Sequence, residues 1–218
     1  MKYFNLHTHQ SVFQENVLNL VNQYPNEFDS NIPFYSIGIH PWYIDLVRIS
    51  EDLQIISNVV SLKNCLAIGE CGLDKKKESI SFEVQKEVFE AQLKLAQEHQ
   101  KPVVIHCVGA FQEIIEIKNR LKITVPMVIH GFSKNEQVAE MMIDQGFYLS
   151  FGKHLFRNPE MKSVIKSVPS NRLFLETDAS DFNIDEVYNL ASEMKELKLE
   201  EMVEIIQNNL ETVFKIKQ

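Results

Sequence analysis

Short runs of β-branched and aromatic residues recur along the chain and alternate with longer stretches whose apolar positions repeat every three or four residues. Runs of the first kind read as strands and stretches of the second kind as amphipathic helices, which together make the βα pattern of a parallel sheet. The candidate strands are Tyr3–His7, Val17–Asn22, Phe34–Ile39, Leu66–Glu70, Val103–His106, Met127–His130, Phe147–Phe151 and Leu173–Glu176. Eight is the number that closes a barrel of this type. Helical stripes run through Phe82, Gln85, Phe89, Leu93 and Ala96, through Val138, Met141 and Met142, and through Met202, Ile205, Ile206, Leu210 and Val213. The first stripe should stop near Gln100, ahead of Pro102, and Ser133 is the expected cap of the second. Between Gln10 and Pro33 there is too little chain for a strand and a full helix on each side. The pattern therefore predicts a compact TIM-like (β/α)8 barrel, residues 1–218 as one domain, with one reduced helix near the N-terminus.

Composition narrows this picture without changing it. The chain has 218 residues, 44% of them apolar, enough for a sizeable core. No apolar run approaches the roughly 18 residues that span a bilayer, and the N-terminus turns polar too early for a secretory leader, so the expected location is cytoplasmic with no membrane contact. Cys65, Cys71 and Cys107 lack paired spacing, which argues against a disulfide framework or a thiolate zinc site. A net charge of −8 repels polyanions at long range and disfavours a high-affinity duplex binder. It does not exclude a nuclease, because bound divalent cations add positive charge where a phosphate sits.

Chemistry enters through the placement of the polar residues. His7 and His9, Glu70, His106, His130 and Asp178 each fall at or just beyond the C-terminal end of a predicted strand. In a parallel barrel those ends converge on one mouth, and strand alternation lets His7 and His9 point the same way. Four of the seven histidines lie at such ends, whereas histidines serving only as core residues would scatter as His99 does. Carboxylates after the aliphatic runs IGE and LETD would be costly to bury without a cation or donor. Imidazole with carboxylate suits Zn²⁺, Mn²⁺, Fe²⁺ or Ni²⁺, and a carboxylate-rich half-site also accepts Mg²⁺.

Over essentially its whole length the chain resembles the TatD-type metal-dependent deoxyribonucleases of the amidohydrolase superfamily. The resemblance is carried by HTH at His7 to His9, GIHPW at Gly38 to Trp42, GECGLD at Gly69 to Asp74, PVVIHC at Pro102 to Cys107, PMVIHGFS at Pro126 to Ser133 and NRLFLETDAS at Asn171 to Ser180. The helix from Gln85 to Gln100 and the ending Asn209 to Phe214 are similar to the family's as well. It implies two divalent ions: one held by His7, His9 and Asp178, a second by His106 and His130, with Glu70 bridging. It further implies hydrolysis of phosphodiester bonds in DNA ends or short single strands by a metal-activated water, with Asp178 and Glu70 as the catalytic carboxylates and no obligate protein partner.

His40 could reach a phosphate, protonate a leaving oxygen or simply anchor its loop, and Trp42 could stack on a base or pack under the next helix. The stretch Lys75 to Glu78 reads as a solvated helix entry or a phosphate-steering patch. Two positions depart from the family: Asn5 stands where an Asp is usual, and Val108 where a basic residue is usual. Lys134 and Lys153, with His154, are the candidates to restore a phosphate anchor. The loop after Asp178 also lacks the family's proline and arginine. A hydrolase of another small phosphoester or amide, or a metal-binding barrel without turnover, are the competing readings.

Overall fold

The computed structural model describes residues 3–12 and 14–216. Eight strands follow one another in chain order within a single sheet. They are β1 (Tyr3–Thr8), β2 (Val17–Gln23), β3 (Tyr35–Ile37), β4 (Cys65–Asp74), β5 (Val103–Val108), β6 (Met127–Ile129), β7 (Tyr148–Phe151) and β8 (Leu173–Leu175). Every recorded strand pairing is parallel, and a parallel bridge from Thr8 to Asp178 brings the first strand beside the end of the last. That topology is the one a (β/α)8 barrel requires. By internal contacts the chain divides into two compact units, Met1–Val21 with Val128–Gln218, and Asn22–Met127. None of the helices among the described residues is long and apolar enough to cross a membrane.

In the first unit the helices are α4 (Glu136–Asp144), α5 (His154–Arg157), α6 (Met161–Ser167), α7 (Ile184–Lys195) and α8 (Leu199–Phe214). Their apolar faces close on the strands through aromatic edges: Phe4 of β1 meets Phe174 of β8 at 5.9 Å and Phe214 of α8 at 5.4 Å between ring centroids. Such edge-to-face pairs add to the burial of the rings themselves. Tyr188 of α7 is buried because its hydroxyl has work there, accepting from Phe4 N at 3.1 Å and donating to Phe4 O at 2.9 Å. The cap of α4 is Asn135, whose Oδ1 accepts from Val138 N at 3.1 Å, and not Ser133. A side-chain cap reaches the amide three residues on, and with the first turn beginning at Glu136 only Asn135 has that reach.

In the second unit α1 (Ile49–Val59), α2 (Phe82–His99) and α3 (Phe111–Leu121) accompany β3, β4 and β5. The connection from β2 to β3 holds only a 3-10 turn, Pro25–Glu27, and no helix lies between β1 and β2 among the described residues, in keeping with the reduced N-terminal helix. Two corrections concern β4. It is ten residues long and runs to Asp74, so Glu70 sits inside the strand and not at its end. Lys75 to Glu78 form a turn after β4 rather than the entry of α2, which starts at Phe82. Lys75 there pairs with Glu113.

Gln85 and Gln92 lie on the buried face of α2, where an amide must find partners. Gln92 donates to Ile39 O at 3.1 Å and accepts from Ile39 N at 2.7 Å. Gln85 accepts from Asp74 N at 2.8 Å and donates to Asp74 O at 3.1 Å and Ile80 O at 3.2 Å. Gln85 therefore fixes the turn that follows β4. Replacing it by Leu leaves those backbone groups unsatisfied, and Gln85→Leu is expected to lower stability by about 2–3 kcal/mol in urea unfolding. A change below about 0.5 kcal/mol would show that the turn finds its partners elsewhere.

Candidate metal centres

Each unit carries one group of imidazole and carboxylate donors. In the first, strand alternation sends His7 and His9 off the end of β1 in the same direction. Asp178 is placed opposite them by backbone geometry: its N–H donates to His7 O at 2.9 Å, and it adopts a left-handed φ of 53° just after β8. Asp178 Oδ1 then lies 3.8 Å from His7 Nε2 and 3.5 Å from His9 Nε2. His7 is fully buried and His9 about a third exposed, so the group opens on the His9 side. Lys153, in the loop after β7, donates from Nζ to Asp178 Oδ2 at 2.7 Å. Burial pushes the Asp178 carboxyl up, but the hydrogen bond from His9, the charges of His130 and His7 and the hydrogen bond from Lys153 outweigh it and hold the group far below the usual carboxylate range.

His130 follows β6 in the same unit, its ring 4.3 Å from that of His7. Glu176 stands behind it, Oε1 3.4 Å from His130 Nδ1 and accepting from Gly131 N at 2.7 Å. The other oxygen, Oε2, is buried with no hydrogen-bond partner. A fully buried carboxylate of this kind calls for positive charge nearby.

The second group is built on β4 and β5. Glu70 is held from its backbone, N donating to Asn22 Oδ1 at 2.6 Å, and its Oε1 receives two imidazoles, His40 Nε2 at 3.1 Å and His106 Nδ1 at 3.1 Å. Asp74 continues the same strand face four residues on. Its Oδ2 lies 3.2 Å from His106 Nε2 and accepts from Trp42 Nε1 at 2.6 Å. Although burial raises the Asp74 carboxyl, hydrogen bonds from Trp42, Lys76 N and His106 hold it below its ordinary value. Trp42 N donates in turn to His40 Nδ1 at 3.0 Å, leaving Nε2 of that ring to face Glu70.

His7, His9 and Asp178 offer donor atoms that all lie within 4.8 Å of one another, and so do His40, Glu70 and His106. Donors around one Zn-sized ion at about 2.0–2.2 Å stand roughly 3–4 Å apart, so ligation asks only for small adjustments of side chains already gathered. The mixed imidazole and carboxylate sets, with a buried Glu176 Oε2 that has no hydrogen-bond partner, fit a divalent cation.

Of the residues singled out from the sequence, the structure gathers His7, His9, His130, Asp178 and Lys153 in one unit, and Glu70, His106 and His40 in the other. Lys134 is exposed on the loop between β6 and α4. His40 belongs to a donor group, a role the sequence reading did not give it. Asp74 and Glu176 were not singled out at all, yet their signal was present: Asp74 follows Glu70, and Glu176 precedes Asp178, at the even spacing that shares a strand face. Asn5, the departure next to HTH, is a buried cross-link, its Nδ2 donating to Asn19 Oδ1 at 3.0 Å and Thr177 Oγ1 at 2.9 Å while Oδ1 accepts from Thr177 N at 2.9 Å.

The model of the TatD related DNase family matches residues 3–215. Among curated proteins, the chain is similar to the uncharacterized metal-dependent hydrolase YabD of Bacillus subtilis, 32% identical over 200 residues that make up 84% of this chain and 78% of that protein. It is also similar to the 3'-5' ssDNA/RNA exonuclease TatD of Salmonella typhimurium, 26% identical over 80% of this chain and 64% of the relative. Among solved structures, the TatD homologue YjjV of Escherichia coli superposes with a TM-score of 0.85 at 22% identity, covering 99% of both chains. That likeness establishes the fold as a TIM-like (β/α)8 barrel.

Proposed function

From the chain's membership of the TatD related DNase family, as a metal-dependent hydrolase, we propose that it is a divalent-metal-dependent phosphodiesterase that cleaves DNA at ends or in short single strands. The observation that carries this reading is the pair of gathered donor groups, each combining imidazole with carboxylate. His7, His9 and Asp178 would hold one ion, and Glu70 with His106 another; the ions are Mg²⁺, Mn²⁺ or Zn²⁺. Bound there, divalent ions supply a water acidic enough to ionise near neutral pH and positive charge for the phosphoryl oxygens.

The protein's own groups do the rest. Asp178, ionised throughout the working range, would face the ion through Oδ1 and accept the proton of the attacking water through Oδ2. Lys153 donates to Oδ2, and an ammonium that turns from there to a bound phosphate would free that oxygen for the water. His40, backed by Trp42 N, orients against Glu70 and stands ready to donate to a leaving oxygen. The name of the Salmonella relative supports a nucleic-acid substrate. A small phosphoester is the second reading, favoured by the charge of −8 and by Val108 where the family pattern is basic.

The test is hydrolysis of bis(p-nitrophenyl) phosphate and of a labelled single strand after chelation, then with Mg²⁺, Mn²⁺ or Zn²⁺ returned. Activity on both should vanish with chelator and come back with metal, and DNA cleavage should weaken as salt rises. Turnover of the generic diester without cleavage of any strand would transfer the assignment to a small phosphoester, and metal-independent turnover would end it.

A further inference from the structure

One cavity of the Asn22–Met127 unit belongs to neither donor group. It measures about 410 Å³ and is lined by Tyr24, Tyr43, Arg48 and the carboxylates of Glu27, Asp45 and Asp52, a size at the scale of small-molecule sites, about 300–1,000 Å³. Tyr24 directly follows β2, and Tyr43 stands on the loop after β3, so both walls arise at the strand ends that lead toward His40. The two rings meet edge to face, centroids 5.2 Å apart and planes at 78°. Tyr43 is 59% exposed, an expense of apolar surface that packing alone does not explain, while Asp52 is buried. The Tyr43 ring lies 5.4 Å from that of His40, and its N–H donates to His40 O at 3.0 Å. Whatever enters the cavity is therefore adjacent to the imidazole that faces Glu70.

The lining also says what chemistry fits. Two phenol rings present faces and edges on which a planar ring stacks, a contact that serves any base. Arg48 is not a free phosphate anchor, because its guanidinium is engaged by Asp52 at 2.9 Å and Glu51 at 3.1 Å. One guanidinium against three carboxylates makes the lining acidic, which keeps a phosphate outside and favours N–H donors within. Carboxylates pair with exocyclic amino groups, as in the reading of cytosine N4 by Asp or Glu. Thymine has no such group.

We propose that this cavity is a nucleobase subsite, taking one amino-bearing base of the strand whose phosphodiester is presented to His40 and Glu70, and preferring cytosine, adenine or guanine to thymine. The identity of the ligand rests on the phosphodiesterase reading, but the test does not require turnover. Metal-free, isotopically labelled full-length protein is titrated with deoxycytidine and with thymidine, neither of which carries a phosphate, and amide shifts are followed by NMR. Saturable shifts confined to residues 24–27 and 43–52 are expected, with thymidine several-fold weaker. Tyr43→Ala should weaken deoxycytidine binding by about tenfold, the scale of one lost stacking contact; because Tyr43 is largely exposed, the rest of the spectrum should stay in place. Asp45→Asn should narrow the difference between the two nucleosides. No saturable shift, shifts centred elsewhere, or binding indifferent to Tyr43→Ala would overturn the subsite. Hydrolysis of single strands without nucleoside binding removes the subsite alone, and nucleoside binding without any hydrolysis removes the phosphodiesterase reading alone.

Discussion

Asp178→Asn is expected to lower metal-dependent phosphodiester hydrolysis by a factor on the order of 10²–10⁴, the range that a positioned proton acceptor contributes. The substitution keeps the shape and the backbone contacts that set the residue, including the N–H to His7 O, and removes only the charge. Three cationic or potentially cationic groups converge on that charge: His9 Nε2 at 3.5 Å, His7 Nε2 at 3.8 Å and Lys153 Nζ at 2.7 Å. An amide there offers no basic oxygen to take a proton from water, and it is a poorer donor to a hard divalent ion. The folded carboxyl lies below its unfolded value of about 3.9, so its contribution to stability is full above that pH and is lost as the pH falls through the folded value. Metal-free Asp178→Asn should accordingly be less stable than the parent at neutral pH and should lose that difference in strong acid. Rates on bis(p-nitrophenyl) phosphate, together with calorimetric metal titration, decide the matter. Activity within about threefold of the parent would remove Asp178 as the proton acceptor.

What the amino-acid pattern made legible follows from how strongly each residue's surroundings are dictated locally. β1, β7 and β8 were readable to within one residue at each end, because their aliphatic and aromatic runs are bounded by polar or glycine positions. The histidines and Asp178 stood out because polar groups directly after such runs conflict with burial unless chemistry compensates. β4 was cut short for the opposite reason. GECGLD carries two glycines and two acids, composition that disfavours a strand locally, yet all ten residues of β4 are buried and its pairing with β5 continues to Asp74 and Val108. Hence Asp74, at the far end of the misread strand, went unnoticed. The place of His40 against Glu70 lay beyond local reasoning, since it depends on a residue thirty positions away in sequence and on an indole hydrogen bond from Trp42 that ties the loop after β3 to Asp74 at the end of β4. Glu176 was hidden because its work is done on His130 and Gly131, contacts made only when β6 and β8 are in place.

Gly72→Ala should damage the fold severely, costing about 3–5 kcal/mol of the roughly 5–15 kcal/mol typical of a domain. Gly72 pairs with His106 across β4 and β5 and has a φ of +145°, a region that residues with a Cβ avoid. A Cβ on it would lie 2.0 Å from His106 O and 2.9 Å from His106 C. Both atoms are backbone, so no side-chain rotation relieves the overlap. Relief requires β5 to move away at His106 or β4 to rotate, and either motion pulls apart the register that sets Glu70, Asp74 and His106 against one another. Gly109→Ala is the informative control. Gly109 also has a positive φ, +68°, but its nearest neighbours would be the side chain of Lys75 at 3.7 and 3.9 Å, so only the conformational cost of about 1–2 kcal/mol should appear. Urea unfolding of the two variants beside the parent separates the terms. Equal losses would mean that β5 yields freely, and the close backbone approach at Gly72 would then have no part in holding His106 against Glu70.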